Sequence, residues 1–498
     1  MTLLSSLLVF GFLSASPVQD VPNYVDIGSR LELFVDDFLI DKLDDAQLEL
    51  HSPQRAEIAL QLDRPWEGLF CGYFTVIKDG DLYRMYYRGL PDIDKEEVTC
   101  MAESSDGIAW TRPDLGLFEI SGTRENNVIL HGDGTHNFSP FIDACPGVSP
   151  DRRYKALGSM KGGLAAFSSP DGIHWTKMRE GPVLTHDKHG EFDSQNVAFW
   201  SESEKCYVSY FRKFVDGVRS ISRATSEDFI EWSDGQLMQF RIPFAEGNEY
   251  VVREPNGERT QTTTPAEHLY TNQTHPYFRA PHIYLSFPMR FLPQRRTLSD
   301  AQAQATQVHA NYGADAADGV FMSTRGSTNP SWYTRFMEGF FRPGPDPGNW
   351  VSRTNMAALG VVPTGPGEIS MYYSQHYAQP SHHIRRCVLR TDGFVSVNAP
   401  YSGGELINKP FKFQGNRLIL NYSTSAAGGL RVELQDEKGT PIPGFSHDEC
   451  PLIFGDMIDG TIAWKDGPDV SKLAGQVIRM RLVMKDADVY SFRFVSGE

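Results

Sequence analysis

Ser104-Ser105-Asp106-Gly107-Ile108-Ala109-Trp110 returns as Ser168-Ser169-Pro170-Asp171-Gly172-Ile173-His174-Trp175. It returns again, worn, as Thr225-Ser226-Glu227-Asp228-Phe229-Ile230-Glu231-Trp232. Each copy follows an alternating run that reads as a strand and opens another. Asp-Gly supplies a tight turn, because Gly tolerates positive φ and Asp bonds its own backbone. The Trp then starts the next strand and fills the space between neighbouring sheets. A hairpin with a fixed aromatic, repeating at roughly 60 residues, is the pattern of a β-propeller rather than of a single sandwich.

Working outward from the repeats, Tyr73 to Lys78, Asp81 to Arg88 and Val98 to Ala102 lead into the first copy and make a blade. A second blade runs from Ser139 to Trp175, and a third from Phe192 to Trp232. The fourth is broken by two inserts, Pro243 to Glu267 and Gln294 to Ala317, and long strand-free loops of this kind are usually functional or disordered. The fifth takes Asn349 to Leu359, Glu368 to Tyr377 and His383 to Val397, with Thr391-Asp392-Gly393-Phe394 as a degenerate turn. Past Tyr401 the repeat stops, and alternating runs such as Arg417 to Tyr422 and Val489 to Phe494 read as a β-sandwich. The expectation is an all-β chain: a five-bladed propeller over 17–400 and a sandwich over 401–498.

Of 498 residues, 40% are apolar and 22% charged, an ordinary globular balance. The net charge of −16 argues against nucleic acid and anionic membranes as partners. Residues 1–16 are apolar, end in small side chains and read as a signal peptide. That implies a secreted or periplasmic protein that leaves the membrane after cleavage. The six Cys form no metal-like cluster; Cys71 and Cys100 fall on neighbouring strands, where an exported chain can bridge them. No cofactor is expected, beyond room for a structural Ca²⁺ in the channel.

The starts of the innermost propeller strands ring one channel mouth, so polar residues there converge. Glu67, Asp143 and Asp193 stand at three successive starts. Glycoside hydrolysis needs such a set: one carboxylic acid to protonate the leaving oxygen and one carboxylate as base or nucleophile. Asn137, Asn196, Arg212, Asn272, His275, Arg279, His282, Arg353 and Asn355 are the expected substrate-binding residues around them.

Five blades followed by a sandwich resemble the invertase, levanase and arabinanase group of glycoside hydrolases (families 32 and 43). The resemblance implies a base or nucleophile on blade one, nearest to Glu67 in Trp66-Glu67-Gly68. It implies a second acid on blade two, nearest to Asp143 in Phe141-Ile142-Asp143, and a general acid on blade three, nearest to Asp193 in Phe192-Asp193-Ser194-Gln195-Asn196. Two other functions fit the same pattern: a non-catalytic carbohydrate-binding propeller, whose acids would be salt-bridged to Arg, and a propeller-type polysaccharide lyase.

Overall fold

The structure is a computed structural model that describes residues 23–497 apart from 186–189, 245–248, 254, 256 and 264–266. The expected signal peptide lies outside the described residues. The chain is all-β, with one α-helix among the described residues, α1 (Asp300–Thr306). No helix there is long and apolar enough to cross a membrane.

The arrangement is propeller-like. Four sheets have the regular blade order of consecutive antiparallel strands. The first is Gly72–Asp79, Leu82–Gly89, Val98–Ser104 and Val128–His131. The second is built on Gly134–Ile142, Tyr154–Met160 and Gly163–Ser169, the third on Val197–Ser201, Cys206–Val215 and Val218–Ser226. The last contains Val362–Gly365, Glu368–Gln375 and His383–Arg390. Its fourth strand comes from the other end of the chain, Gln54–Gln61, paired antiparallel to His383–Arg390.

Five regular blades were expected, and four are found. The unit between the third and last sheets is a seven-stranded sheet that includes a parallel pair, Gln239–Arg241 with Trp332–Phe341. The two inserts account for the irregularity. The first separates Gln239–Arg241 from His268–Leu269 and the second separates Met289–Leu292 from Ala316–Arg325, so the simple meander is lost.

The repeated turns behave as their residues dictate. Oδ1 of Asp106 accepts from the backbone N–H groups of Ile108 and Ala109 at 2.7 and 2.9 Å. Asp171 does the same for Ile173 and His174, and Asp228 for Ile230 and Glu231. Gly107, Gly172 and Phe229 all hold φ near +75° (74°, 77° and 70°), so the third copy keeps the turn without its glycine. Each turn tucks against the preceding sheet. A Cβ on Gly172 would come 2.5 Å from the Tyr86 hydroxyl of the first sheet, and one on Gly107 2.8 Å from Thr364 of the last.

Apolar clusters fill every seam of the ring. Tyr86, Met101, Phe138 and Phe167 join the first and second sheets. Phe141, Tyr210, Tyr284 and Tyr333 join the second, third and seven-stranded sheets. Phe287, Phe321, Tyr373 and Phe394 continue to the last sheet, and Phe74, Tyr87 and Tyr372 return to the first. Each such side chain contributes about 1.5–3 kcal/mol when fully buried.

The C-terminal strands form a ten-stranded sheet around Arg417–Asp436 and Ile478–Val495. It also takes in strands from the start of the chain. Val25–Gly28 runs parallel to Phe411–Phe413, and Ile40–Asp44 pairs with Gly404–Asn408. Residues 25–50, expected within the propeller, therefore belong with the C-terminal strands. The Cys71–Cys100 bridge that export would permit is not formed; all six cysteines are free thiols.

Candidate functional site

Five chain segments run down the axis of the ring: 72–78, 134–142, 192–200, 270–278 and 353–363. Their first residues line a polar pocket of about 180 Å³, and their later residues line an apolar pocket of about 600 Å³ at the other mouth. Amide side chains close the channel between the two. Nε2 of Gln195 donates to the Phe74 carbonyl at 3.0 Å, and Nε2 of Gln273 donates to Oε1 of Gln195 at 2.8 Å.

The polar pocket is organised around His136. Its Nδ1 lies 2.9 Å from Oε1 of Glu97, and its Nε2 lies 2.9 Å from Oδ1 of Asp193. One imidazole ring and two hydrogen bonds thus separate two carboxylates, within the roughly 5–9.5 Å that glycosidase pairs span. Burial alone would lower the pKa of His136; its bonds to Asp193 and Glu97 outweigh that and raise it. Burial would raise Asp193, but the bond to His136 and the charges of Arg212 and Arg353 hold it well below the usual carboxylate range. Glu97 is likewise lowered, with burial opposed by His136 and Arg88. The relay thus favours a proton on the ring between two carboxylates.

Tyrosines wall the pocket. The Tyr73 hydroxyl donates to Asp193 at 3.3 Å from a residue at φ +54°. Tyr312 arrives on the second insert. Ser299 caps α1 with a capping box, and the backbone of His309 bonds the carbonyl of Ala378, docking the excursion beside the pocket. Tyr312 then packs on Phe70 and Tyr377, with ring centroids 5.4 and 5.5 Å away.

Of the three expected catalytic acids, only Asp193 is here, and it is an ionised carboxylate rather than a general acid. Glu67 is fully buried elsewhere. It accepts from Arg112 Nε at 2.7 Å, Arg112 Nη2 at 2.8 Å and the Tyr87 hydroxyl at 2.5 Å. Asp143 is buried against Lys155 and the Tyr207 hydroxyl. Both are closed ion pairs with no opening to a substrate.

The expected binding residues divide in the same way. Arg353 lines the pocket and Arg212 adjoins it, 3.5 Å from Asp193. Asn137 and Asn196 both donate to the carbonyls of Phe192 and Ser194, so they hold the backbone that carries Asp193. Asn272 and Asn355 brace backbone similarly. His275 is half-buried at the opposite mouth, where desolvation of its ring lowers its pKa to about 4. Arg279 faces Asp392 and Asp459, and His282 faces Glu32, all contacts with the ten-stranded sheet. Among the described residues no group of three or more His, Cys, Asp or Glu is placed to hold a metal ion, so the channel offers no such cage for Ca²⁺.

Sequence reasoning missed His136, Glu97, Arg88 and the tyrosines. His136 and Glu97 carry no motif: His136 lies on Gly134–Ile142 of the second sheet and Glu97 directly before Val98–Ser104 of the first, so only the packing of the two sheets side by side brings them to one mouth.

No protein-family model matches the chain, and no curated protein matches it significantly. Among solved structures it is similar to an N-acetylgalactosamine deacetylase from F. plautii in complex with blood group B trisaccharide, at 11% identity and a TM-score of 0.42, covering 70% of this chain and 96% of that one. A glycoside hydrolase matches at 12% identity and 0.41, covering 68% and 92%. A structure from the GH130 family of mannoside phosphorylases, which contains glycoside hydrolases that target β-1,2 mannosidic linkages in Candida mannan, matches at 14% and 0.37, covering 73% and 96%. At these TM-scores none of the likenesses bears on the chemistry of the pocket.

Proposed function

We propose that the polar pocket binds one saccharide unit and hydrolyses its glycosidic bond. The carrying observation is the Glu97–His136–Asp193 relay at the mouth of a tyrosine-walled channel. A volume of about 180 Å³ suits a single sugar ring, and tyrosine faces are apt platforms for one. In this reading His136 stores the proton. A glycosidic oxygen that replaces Asp193 as acceptor of the Nε2 proton receives it as the bond to the anomeric carbon breaks. Asp193, released from His136, takes a proton from the incoming water, whose oxygen bonds the anomeric carbon. Re-forming the Asp193–His136 contact returns that proton to the ring and resets the site. The ten-stranded sheet, folded as a sandwich, stiffens the ring, and export from the cytoplasm rests on the apolar run before Pro17.

The test is release of reducing sugar from a panel of plant and marine glycans by the purified protein and by Asp193→Asn and His136→Phe variants. The reading requires turnover by the parent protein and a loss of at least about 100-fold in each variant, the scale of general acid–base contributions, with unchanged thermal unfolding. Turnover that survives both substitutions refutes it. One observation favours the second reading, a non-catalytic sugar-binding site: Asp193 is held by both His136 and Arg212. Saccharide binding without turnover by the parent protein would establish that alternative.

A further inference from the structure

Arg353 is the least explained side chain in the pocket. Its backbone holds φ +60°, in the left-handed region that is strained for any residue but glycine. The loop around it enforces that conformation. Asn355, itself at φ +66°, donates to the carbonyls of Ala317 and Asn349, and the Ser352 N–H donates to the Tyr312 carbonyl at 3.0 Å. Strain kept in place by this much bracing is a feature of ligand clamps. The product is a guanidinium lying 5.3 Å from the Tyr270 ring centroid and 4.9 Å from that of Tyr312. Among the described residues it has no hydrogen bond or ion pair to a protein acceptor, and its Nε is buried and unpartnered.

Two more guanidinium groups stand against the same tyrosine. Arg212 and Arg219 lie 5.0 and 5.1 Å from the Tyr270 ring centroid. Arg212 is 2% exposed with Nη1 unpartnered, although its other nitrogens reach the Gly190 carbonyl. Among the described residues the Arg219 side chain reaches only the ring nitrogen of His268, and its Nε is unpartnered. The facing acceptor is Asp193, 3.5 Å from Arg212 and already bonded to His136. Three positive charges thus gather around one partly committed carboxylate, and burial together with the charges of Arg212 and Arg353 depresses Arg219 below its ordinary range. Charges packed this way stay uncompensated until an anion joins them.

We propose that the saccharide carries an anionic oxygen group, a ring carboxylate or a sulfate ester, and that Arg353 binds it with Arg212 and Arg219 in support. Guanidinium is suited to this because its fork matches the paired oxygens of either group. The inference rests on the saccharide reading above and narrows it to acidic sugars.

Calorimetric titration with glucuronate, galacturonate, galactose 6-sulfate, glucose and galactose tests it, with acetate and inorganic sulfate as free anions. The uronates or the sulfated sugar should bind at least about tenfold tighter than the neutral sugars, with affinity falling as salt rises. Which of the two classes binds tighter identifies the group. Arg353→Met should abolish the preference, and Arg353→Lys should retain part of it. If Arg353→Met fails to fold, Arg219→Met should still reduce the preference. Equal binding of neutral and acidic sugars, or a preference unchanged in both methionine variants, overturns the inference and leaves the saccharide reading standing. Binding of the free anions with no gain from a sugar ring overturns the saccharide reading, and absence of any binding overturns both.

Discussion

His136 shows how far one side chain is set by its neighbours. Bonds to Asp193 and Glu97 favour its protonated form, so the imidazolium should persist above its ordinary value of 6.5 and be lost as pH rises through the raised value. If turnover needs that proton, the alkaline limb of kcat/KM lies above 6.5; a limb below it contradicts the relay. The acid limb, set by the lowered Asp193, should fall below the ordinary carboxylate range. Glu67 has the opposite character. Its two oxygens are spent on Arg112, so Glu67→Ala leaves a largely buried guanidinium without its partner and should cost about 3–5 kcal/mol in denaturant unfolding. A loss under about 1 kcal/mol would show that the pair is not structural. The sequence marked Glu67 and Asp143 as acids at strand starts, but it could not show that Arg112 and Lys155 fold over them. Asp193 was legible because the polar run after it has no reading as a buried strand.

At the scale of the element, the Asp-Gly turns carried most of what could be read. Their chemistry is local: an aspartate accepting from the N–H groups two and three residues on needs nothing from the rest of the chain. Replacing Asp171 by Ala removes the oxygen that accepts from both N–H groups and should cost about 1–2 kcal/mol, the scale of a lost cap; Asp106 and Asp228 should behave alike. Chemical denaturation of the three variants measures this, and a neutral result at all three would show that the turns are passive linkers. Gly172→Ala should cost more, because it adds a clash with Tyr86 to backbone strain. Phe229 explains why the third copy survives without glycine: the side chain is fully buried among Phe141, Tyr207 and Trp232, which offsets its left-handed backbone. The fourth unit was the least legible element, since its inserts interrupt the alternation from which a regular blade would be recognised.

For the whole molecule, a buried charge network joins the ten-stranded sheet to the seven-stranded one. Arg325 donates to Glu32 at 2.7 Å and to Asp36 at 2.7 and 3.0 Å, and stacks on Phe38 at 4.3 Å. Burial would raise Glu32, but Arg325, His282 and Arg30 hold it far below its ordinary 4.5. Its contribution to stability is therefore complete above that value and is lost progressively as pH falls beneath it. Unfolding followed from pH 7 to pH 3 should show a steeper acid loss in the parent protein than in Glu32→Gln, which has no such proton to take up. Identical slopes would rule the network out as the cause. The all-β class and the propeller-like plan were legible because the repeats encode them locally. The membership of residues 25–50 was not, because strands of four or five residues pair wherever a matching edge lies.

The strand Gln54–Gln61 has a consequence for synthesis. Its partner, His383–Arg390, leaves the ribosome more than three hundred residues later, and the partners of Val25–Gly28 and Ile40–Asp44 emerge later still. Until then the nascent chain keeps a raw β-edge at each end of an unclosed circle, the condition that invites pairing with other chains. Assembly of this protein is a race between latching its own beginning and being captured by a neighbour, and truncation anywhere before Arg390 leaves the latch without a catch.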